Sequence, residues 1–227
     1  MVRALKRILR PFRPWLGPIH RRWVIAMDAL APDLETDLER LELPDWPIRA
    51  IRRPAFRAMA AADPYYQGRW RYTSRALLEA ARLIHRDRLT SALELGARGP
   101  SVIVGAHVMD IRTSKGQQGG GPRTTHDARV IPWPFPDKRF DLFIGLQVFE
   151  HLGDAQPEAF REVRRVSRHA ILSLPIDWDM DDPANAHHRI SHERALSWFA
   201  PVVPTRVLQG NGGSRRRVIY VFEDLSS

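Results

Sequence analysis

Three acidic residues stand where apolar runs give way to turns, and each could hold part of a ligand. Glu94 belongs to Ala92-Leu93-Glu94-Leu95-Gly96-Ala97-Arg98-Gly99, a short apolar run that passes through an acid into a glycine-bearing turn. Gly96 and Gly99 would let the backbone approach a ligand that a Cβ would block, although the same turn also serves as plain punctuation. Asp110 closes the next run, Val108-Met109-Asp110. A carboxylate at the end of a second strand can accept both hydroxyls of a ribose; an Asp that only opens a loop reads the same way. Asp127 follows in His126-Asp127-Ala128.

These residues need elements to position them. From Thr90 onward, short apolar runs alternate with helical patterns. The spacing predicts strands at Ala92–Leu95, Val108–Ile111, Leu142–Leu146, Ala170–Leu174, Val203–Leu208 and Val218–Phe222. It predicts helices at Pro157–Ser167, with Phe160 and Val163 inward, and at His192–Phe199. Strands alternating with helices imply an α/β, doubly wound, mostly parallel sheet covered on both faces. The last two runs leave no room for a crossover helix, and Gly210, Gly212 and Gly213 mark a hairpin-like link, so the final strand is expected to run antiparallel. Thr113–Thr125 is rich in Gly, Gln and Thr and reads as a mobile loop near the site.

Upstream, residues 31–89 read as a helical extension of the domain at 90–227. Leu34, Leu38 and Leu41 share one face of a short acidic helix stopped by Pro44, and Arg75 to Arg88 is a stronger helix that buries Leu77, Leu78, Ala81 and Ile84. Residues 1–30 form a basic amphipathic arm with seven Arg or Lys against one acid, broken by Pro11, Pro14 and Pro18. Basic residues among Trp and Phe suit contact with an anionic membrane surface; packing on the arm's own domain or on a partner suits them as well.

The formal charge of +9 invites a nucleic-acid reading, but most of the excess sits in that arm. Residues 126–200 are slightly acidic, and only three of the 35 basic residues are Lys. Nucleic acid is therefore not the expected partner. The absence of cysteine excludes disulfides, thiolate metal sites and cysteine nucleophiles. With no run long enough to span a membrane and no export signal, the cytoplasm is the expected compartment, with the inner membrane face as a place where the arm could dock.

The stretch after Asp127 narrows the reading further. Asp127-Ala128, the turn Ile131 to Phe135, the step Pro136 to Asp141, Glu150-His151-Leu152, the helix Glu162 to Val166 and the strand end Leu172-Ser173-Leu174-Pro175 occur in that order. Over residues 90–200 this resembles the class I S-adenosylmethionine-dependent methyltransferases, in particular the small-molecule and glycan-type enzymes. The resemblance implies a seven-stranded-type, Rossmann-like sheet and S-adenosyl-L-methionine as cofactor. It implies that Glu94, Gly96, Ala97 and Gly99 face the methionine part and that Asp110 holds the ribose. Asp127 and the Ala128 backbone would take the adenine, and Leu146 to His151 would lie under the sulfonium and floor the acceptor pocket. The segment Tyr65-Tyr66-Gln67-Gly68-Arg69-Trp70-Arg71-Tyr72 resembles one that some members place before the first strand. Arg71 or Tyr72 would then bind the cofactor carboxylate, for which a guanidinium offers a matching fork, unless the stretch is aromatic packing on the sheet.

Two features depart from the family. Arg98 stands where members usually carry glycine, and the short interval from Glu94 to Asp110 requires the first crossover helix to be abbreviated or absent. For catalysis, His151 is the expected general base, with a structural histidine as the alternative. His187 and His188, in the loop Asp181 to Arg189, are expected to make polar contacts to substrate. A metal is not expected, because adjacent histidines on an extended chain point apart. The acceptor would be a small molecule or a glycan or lipid-linked intermediate. The competing class is a methyltransferase fold that has lost catalysis and serves as a scaffold on a membrane or partner.

Overall fold

A run of parallel strands buried on both faces dominates the computed structural model, which describes residues 34–97, 99–112, 121–211 and 216–225. The basic arm, Arg98 and most of the Gly-rich stretch after Ile111 lie outside the described residues. The chain begins with α1 (Glu35–Arg40), β1 (Arg49–Ala50) and α2 (Arg53–Ala62). A 3-10 turn, Pro64–Tyr66, leads into the long α3 (Trp70–Asp87). The sheet is then built from β2 (Ala92–Leu95), β4 (His107–Asp110), β5 (Arg123–Thr125), β6 (Phe140–Leu146), β7 (Ser167–Pro175), β8 (Arg206–Asn211) and β9 (Arg217–Phe222), while β3 (Ile103–Val104) pairs only with β1. Helices α4 (Gln156–Val166) and α5 (His192–Phe199) flank β7 in sequence.

The seven strands are ordered β5-β4-β2-β6-β7-β9-β8. All contacts from β5 to β7 are parallel, and β9 runs antiparallel to both β7 and β8. This is the doubly wound, Rossmann-like sheet with an antiparallel final strand, inserted one place from the edge. All six expected strands are present, with ends shifted by a few residues. The expectation of a loop throughout Thr113–Thr125 is corrected at its end: Arg123–Thr125 pairs with Val108–Asp110 as a strand. Its Thr residues are β-branched and suit an edge, where half of each residue faces solvent.

Two apolar layers sandwich the sheet. One gathers Leu93, Met109, Phe143 and Leu172 with Phe149, Phe160, Val163 and Phe199 from α4, α5 and their approaches. Phe160 and Val163 are fully buried, because the i, i+3 spacing of a helix puts both on one stripe. The other layer sets Ala92, Leu142, Ile144, Ile171, Ile219 and Val221 against Ala76, Leu77, Leu83 and Ile84 of α3, together with Leu38, Phe56 and Met59. Each such large side chain removed from water contributes about 1.5–3 kcal/mol.

The first crossover contains no helix among its described residues. Instead, 99–106 fold back so that Ile103 and Val104 pair with Ala50 and Arg49. Val102, Ile103 and Ala106 pack with Leu38, Ile48 and Phe56. The face that a crossover helix would cover is therefore covered by the N-terminal elements. No described helix is long and apolar enough to cross a membrane.

Candidate active site

The strand order reverses between β2 and β6, because the chain leaves β2 toward β4 and β5 and returns on its other side. In open α/β sheets ligands bind beyond the carboxyl ends of strands at such a point. The register brings the relevant ends level: Leu95 is opposite Met109, Asp110 is opposite Thr125, and Glu94 is opposite Ile144. Gly96, Asp110, His126 and Leu146 therefore share one rim.

Gly96 has φ +72°, and its N–H donates to Met109 O at 2.9 Å. A Cβ on Gly96 would stand 2.7 Å from Val148 Cγ2, so the turn is drawn tight against the segment leaving β6. Glu94 is buried. Its carboxylate accepts from the Ser101 hydroxyl and, at 2.8 Å, from the Val102 N–H. Burial pushes this carboxyl up to about 7, against those hydrogen bonds. The expectation that Glu94 faces a cofactor is corrected here, because its carboxylate holds the short crossover. Ala97 is buried and its carbonyl accepts from Arg123 Nη2 at 3.3 Å. At Gly99 a Cβ would meet the Tyr66 hydroxyl at 2.7 Å, and the Gly99 backbone hydrogen-bonds that hydroxyl. Burial pushes the Tyr66 phenol up to about 12.

Asp110 is half-buried. One oxygen accepts from Arg112 N at 2.8 Å, and the other has no hydrogen bond among the described residues. Asp127 accepts from its neighbour Arg129, with Nη2 at 2.6 Å and Nε at 3.0 Å, and this guanidinium holds the carboxyl down at about 2. The Ala128 carbonyl accepts from Trp133 Nε1 at 3.0 Å, so the buried indole fixes that loop.

A second group of side chains gathers beyond β6 and β7. Glu150 and His151 belong to the 3-10 turn Phe149–His151, directly after β6. The Glu150 side chain is fully buried, and neither oxygen has a hydrogen bond among the described residues. His187 brings Nε2 to 3.5 Å from Glu150 Oε1 and packs edge-on against the His151 ring, with centroids 4.8 Å apart. His188 is turned elsewhere, its Nδ1 accepting from the Met180 N–H at 3.2 Å. It lines a cleft of about 320 Å³ together with Glu150, His151, Asn185, Arg194 and Trp198. His151 is exposed at this rim, yet the protein crowding its ring holds its pKa below the ordinary value, with His187 adding and Glu150 opposing.

Tyr72 is buried with its hydroxyl 3.3 Å from Arg69 Nη1 and its ring 4.6 Å from the Arg217 guanidinium. Arg217 also covers Trp178 and donates to Gln147 Oε1 at 3.0 Å. Arg71 is half-buried on the first turn of α3. Arg69 and Gln147 fall inside the stretches expected at the site without being singled out there; Trp178 and Arg217 were not expected beside them, and the Arg217–Gln147 contact spans 70 positions.

The chemistry of the rim fits an adenosyl ligand in two respects: a close-approach glycine at one strand end, and a half-buried carboxylate at the next. Residues 93–170 match the model of a family described as a methyltransferase domain. Among solved structures, the chain is similar to N-methyltransferase NodS from Bradyrhizobium japonicum WM9 in complex with S-adenosyl-l-homocysteine. Identity is 13%, coverage is 85% of this chain and 99% of that one, and the TM-score is 0.48. A SAM-dependent methyltransferase from Aquifex aeolicus is 12% identical over 58% of this chain and 80% of its own, with a TM-score of 0.42. One from Mesorhizobium loti is 13% identical over 59% and 89%, also at 0.42. No curated protein matches the chain.

Proposed function

We propose that the protein transfers a methyl group from S-adenosyl-L-methionine to an oxygen or nitrogen of a small-molecule or glycan or lipid-linked acceptor. The observation that supports this best is the common level of Gly96, Asp110 and Leu146 at the sheet's reversal point, with a polar cleft opening beside Glu150 and His151.

The cofactor, when bound, supplies a methyl group already activated on sulfur, so the chain's tasks are alignment, water exclusion and proton removal. Asp110 would accept the ribose hydroxyls through the oxygen that Arg112 leaves open. Asp127 would take the adenine amino group, giving up a solvent-screened pair with Arg129. Gly96 and Ala97 would admit the methionine part, and Leu146 would lie beneath it. Arg71, Tyr72 or Arg69 would meet its carboxylate. The acceptor would occupy the cleft, with polar contacts to His188 and Arg194 and an apolar wall from Trp198. For a hydroxyl acceptor, His151 would receive the proton; an imidazole held below its ordinary pKa is neutral and able to accept at pH 7.

Calorimetry with S-adenosylhomocysteine on the full chain and on Asp110→Ala tests this. Binding by the parent and a loss of at least about tenfold in the variant are expected, or about 1.4 kcal/mol. Equal affinities would remove Asp110 from the site. One observation favours the scaffold alternative: the Tyr66 hydroxyl occupies the Gly99 backbone. No binding by the parent would decide for that alternative.

The arm at residues 1–30 is proposed to contact an anionic membrane surface at the cytoplasmic inner face. Its deletion should abolish pelleting with phosphatidylserine vesicles and leave cofactor affinity unchanged; continued pelleting would retire the idea.

A further inference from the structure

We propose that Glu150, His151 and His187 form a binding site for a divalent transition-metal ion. The proposal deepens the reading of this cleft as the acceptor side and rests on it for the ion's role, though not for its binding.

The three side chains come from two separate segments, and one donor atom from each lies within 4.8 Å of the others. The tautomer of His187 can be worked out. Asn185 Oδ1 accepts the His187 backbone N–H at 3.0 Å, which fixes that atom as an acceptor. His187 Nδ1 lies 2.9 Å from the same oxygen and must therefore carry a hydrogen. In the neutral ring Nε2 then presents a lone pair, and it faces Glu150 Oε1 at 3.5 Å. Two acceptors thus face each other.

The carboxylate itself sharpens the problem. Glu150's side chain is 0% exposed, and both of its oxygens lack a hydrogen bond among the described residues. A buried carboxylate without a donor is destabilising both as an unmet acceptor and as a desolvated charge. A cation removes that cost. Two ligand atoms each about 2.1 Å from one ion, at a tetrahedral angle, stand about 3.4 Å apart, close to the separation observed. Asn185 supplies what a ligating histidine needs on its other nitrogen, a partner that fixes tautomer and ring plane. The Trp178 ring, tilted at 5.5 Å from His187, shields the far side.

Two imidazoles and one carboxylate form a borderline donor set, suited to Zn²⁺, Mn²⁺, Fe²⁺ or Co²⁺ rather than to Ca²⁺ or Mg²⁺. Three protein ligands leave positions open toward the cleft for oxygens of the acceptor. A cation there would lower the pKa of an acceptor hydroxyl. His151 would then act as a ligand and not as the proton acceptor. The earlier argument from adjacent histidines does not apply, because only His187 of that pair turns toward the cluster.

The rival account is a protonated His187 paired with Glu150. Metal-stripped full-length protein should be titrated with Zn²⁺ and Mn²⁺ by calorimetry, and with Co²⁺ by visible absorption. One ion per chain is expected, with ligand-field bands for Co²⁺. Affinity should fall at least a hundredfold in Glu150→Gln and in His187→Ala, about tenfold in Asn185→Ala, and not at all in His126→Ala. Circular dichroism melts report whether each variant is folded. His187→Ala removes a partly exposed ring, so it decides the matter should Glu150→Gln fail to fold. No saturable binding, or equal affinity in the parent and His187→Ala, overturns the proposal. S-adenosylhomocysteine affinity should not change in Glu150→Gln, His187→Ala or Asn185→Ala, so a failure of the cofactor reading registers separately.

Discussion

Gly96 and Val148 lie so close that a single added methyl would bring their side chains to 2.7 Å. Gly96 also holds a left-handed φ of +72°. Alanine there would pay about 1–2 kcal/mol for the backbone and a further steric cost that a packed neighbour resists. Gly96→Ala should lower unfolding stability by about 2–3 kcal/mol in urea titrations and weaken S-adenosylhomocysteine binding. Adding Val148→Ala should recover the steric part and leave the backbone part. Full recovery in the double variant would show that φ carries no strain.

Glu94 should make stability depend on pH with an unusual sign. Burial holds its folded pKa at about 7, above the ordinary 4.5. The folded state thus keeps a proton that the unfolded chain gives up. Its contribution is fully present below about pH 4.5 and fades as pH rises through 7. The loss is on the order of 3 kcal/mol at most. Glu94→Gln keeps an oxygen for Ser101 and Val102 and cannot ionise. Its stability between pH 5 and 8 should be nearly flat where the parent's falls. A parent curve already flat in that window would contradict the buried, proton-holding carboxyl.

Asp141 should act in the opposite direction. One of its oxygens accepts from Thr90 N at 2.8 Å, Ser91 N at 3.0 Å and Ser91 Oγ at 2.9 Å, clamping the entry of β2 to the start of β6. Burial raises its pKa, but the Thr90 and Ser91 bonds outweigh that and hold it below the ordinary value. Its contribution is therefore present above about pH 3.8 and lost as pH falls. Asp141→Ala should cost about 2–4 kcal/mol at pH 7 by leaving two amides without partners. A cost under about 0.5 kcal/mol would mean water replaces the clamp.

Arg165 ties α4 to the turn before β6. It donates to Phe135 O at 2.7 Å and Trp133 O at 3.0 Å, and it pairs with Glu162 and Asp137. Glu162 in turn accepts the Trp133 N–H at 2.6 Å. Arg165→Ala should destabilise by about 2–3 kcal/mol in thermal melts. Arg165→Lys should recover less than half, since an ammonium cannot serve a fork of acceptors. Equal stability of the Lys variant and the parent would show that charge alone suffices.

Much of the fold was legible because periodicity is a strong signal for long elements. His192–Phe199 forms a helix over the predicted span, and six predicted strands all appear. The helix Arg53–Ala62 was not read as a separate element, because Phe56 and Met59 are its only large apolar side chains. The pairing of β1 with β3 involves two residues on each strand, too few for any pattern. Within the site, Gly96 and Asp110 were legible as residues at strand ends. The family-like motif residues Asp141 and Glu162 turned out to be fastenings of the frame. The isolation of Glu150 was not legible, because it arises from a loop that returns some 35 positions later.

The covering of the sheet by Leu38, Phe56 and α3 has a practical consequence for anyone trimming this chain. A fragment starting at Thr90 would contain every strand of the large sheet and every residue proposed to touch ligand except Arg69, Arg71 and Tyr72. It would also leave Leu142, Ile144, Ile171, Ile219 and Val221 without the layer that seals them, a patch of the kind that drives aggregation. The shortest piece with any prospect of remaining in solution begins before Leu38.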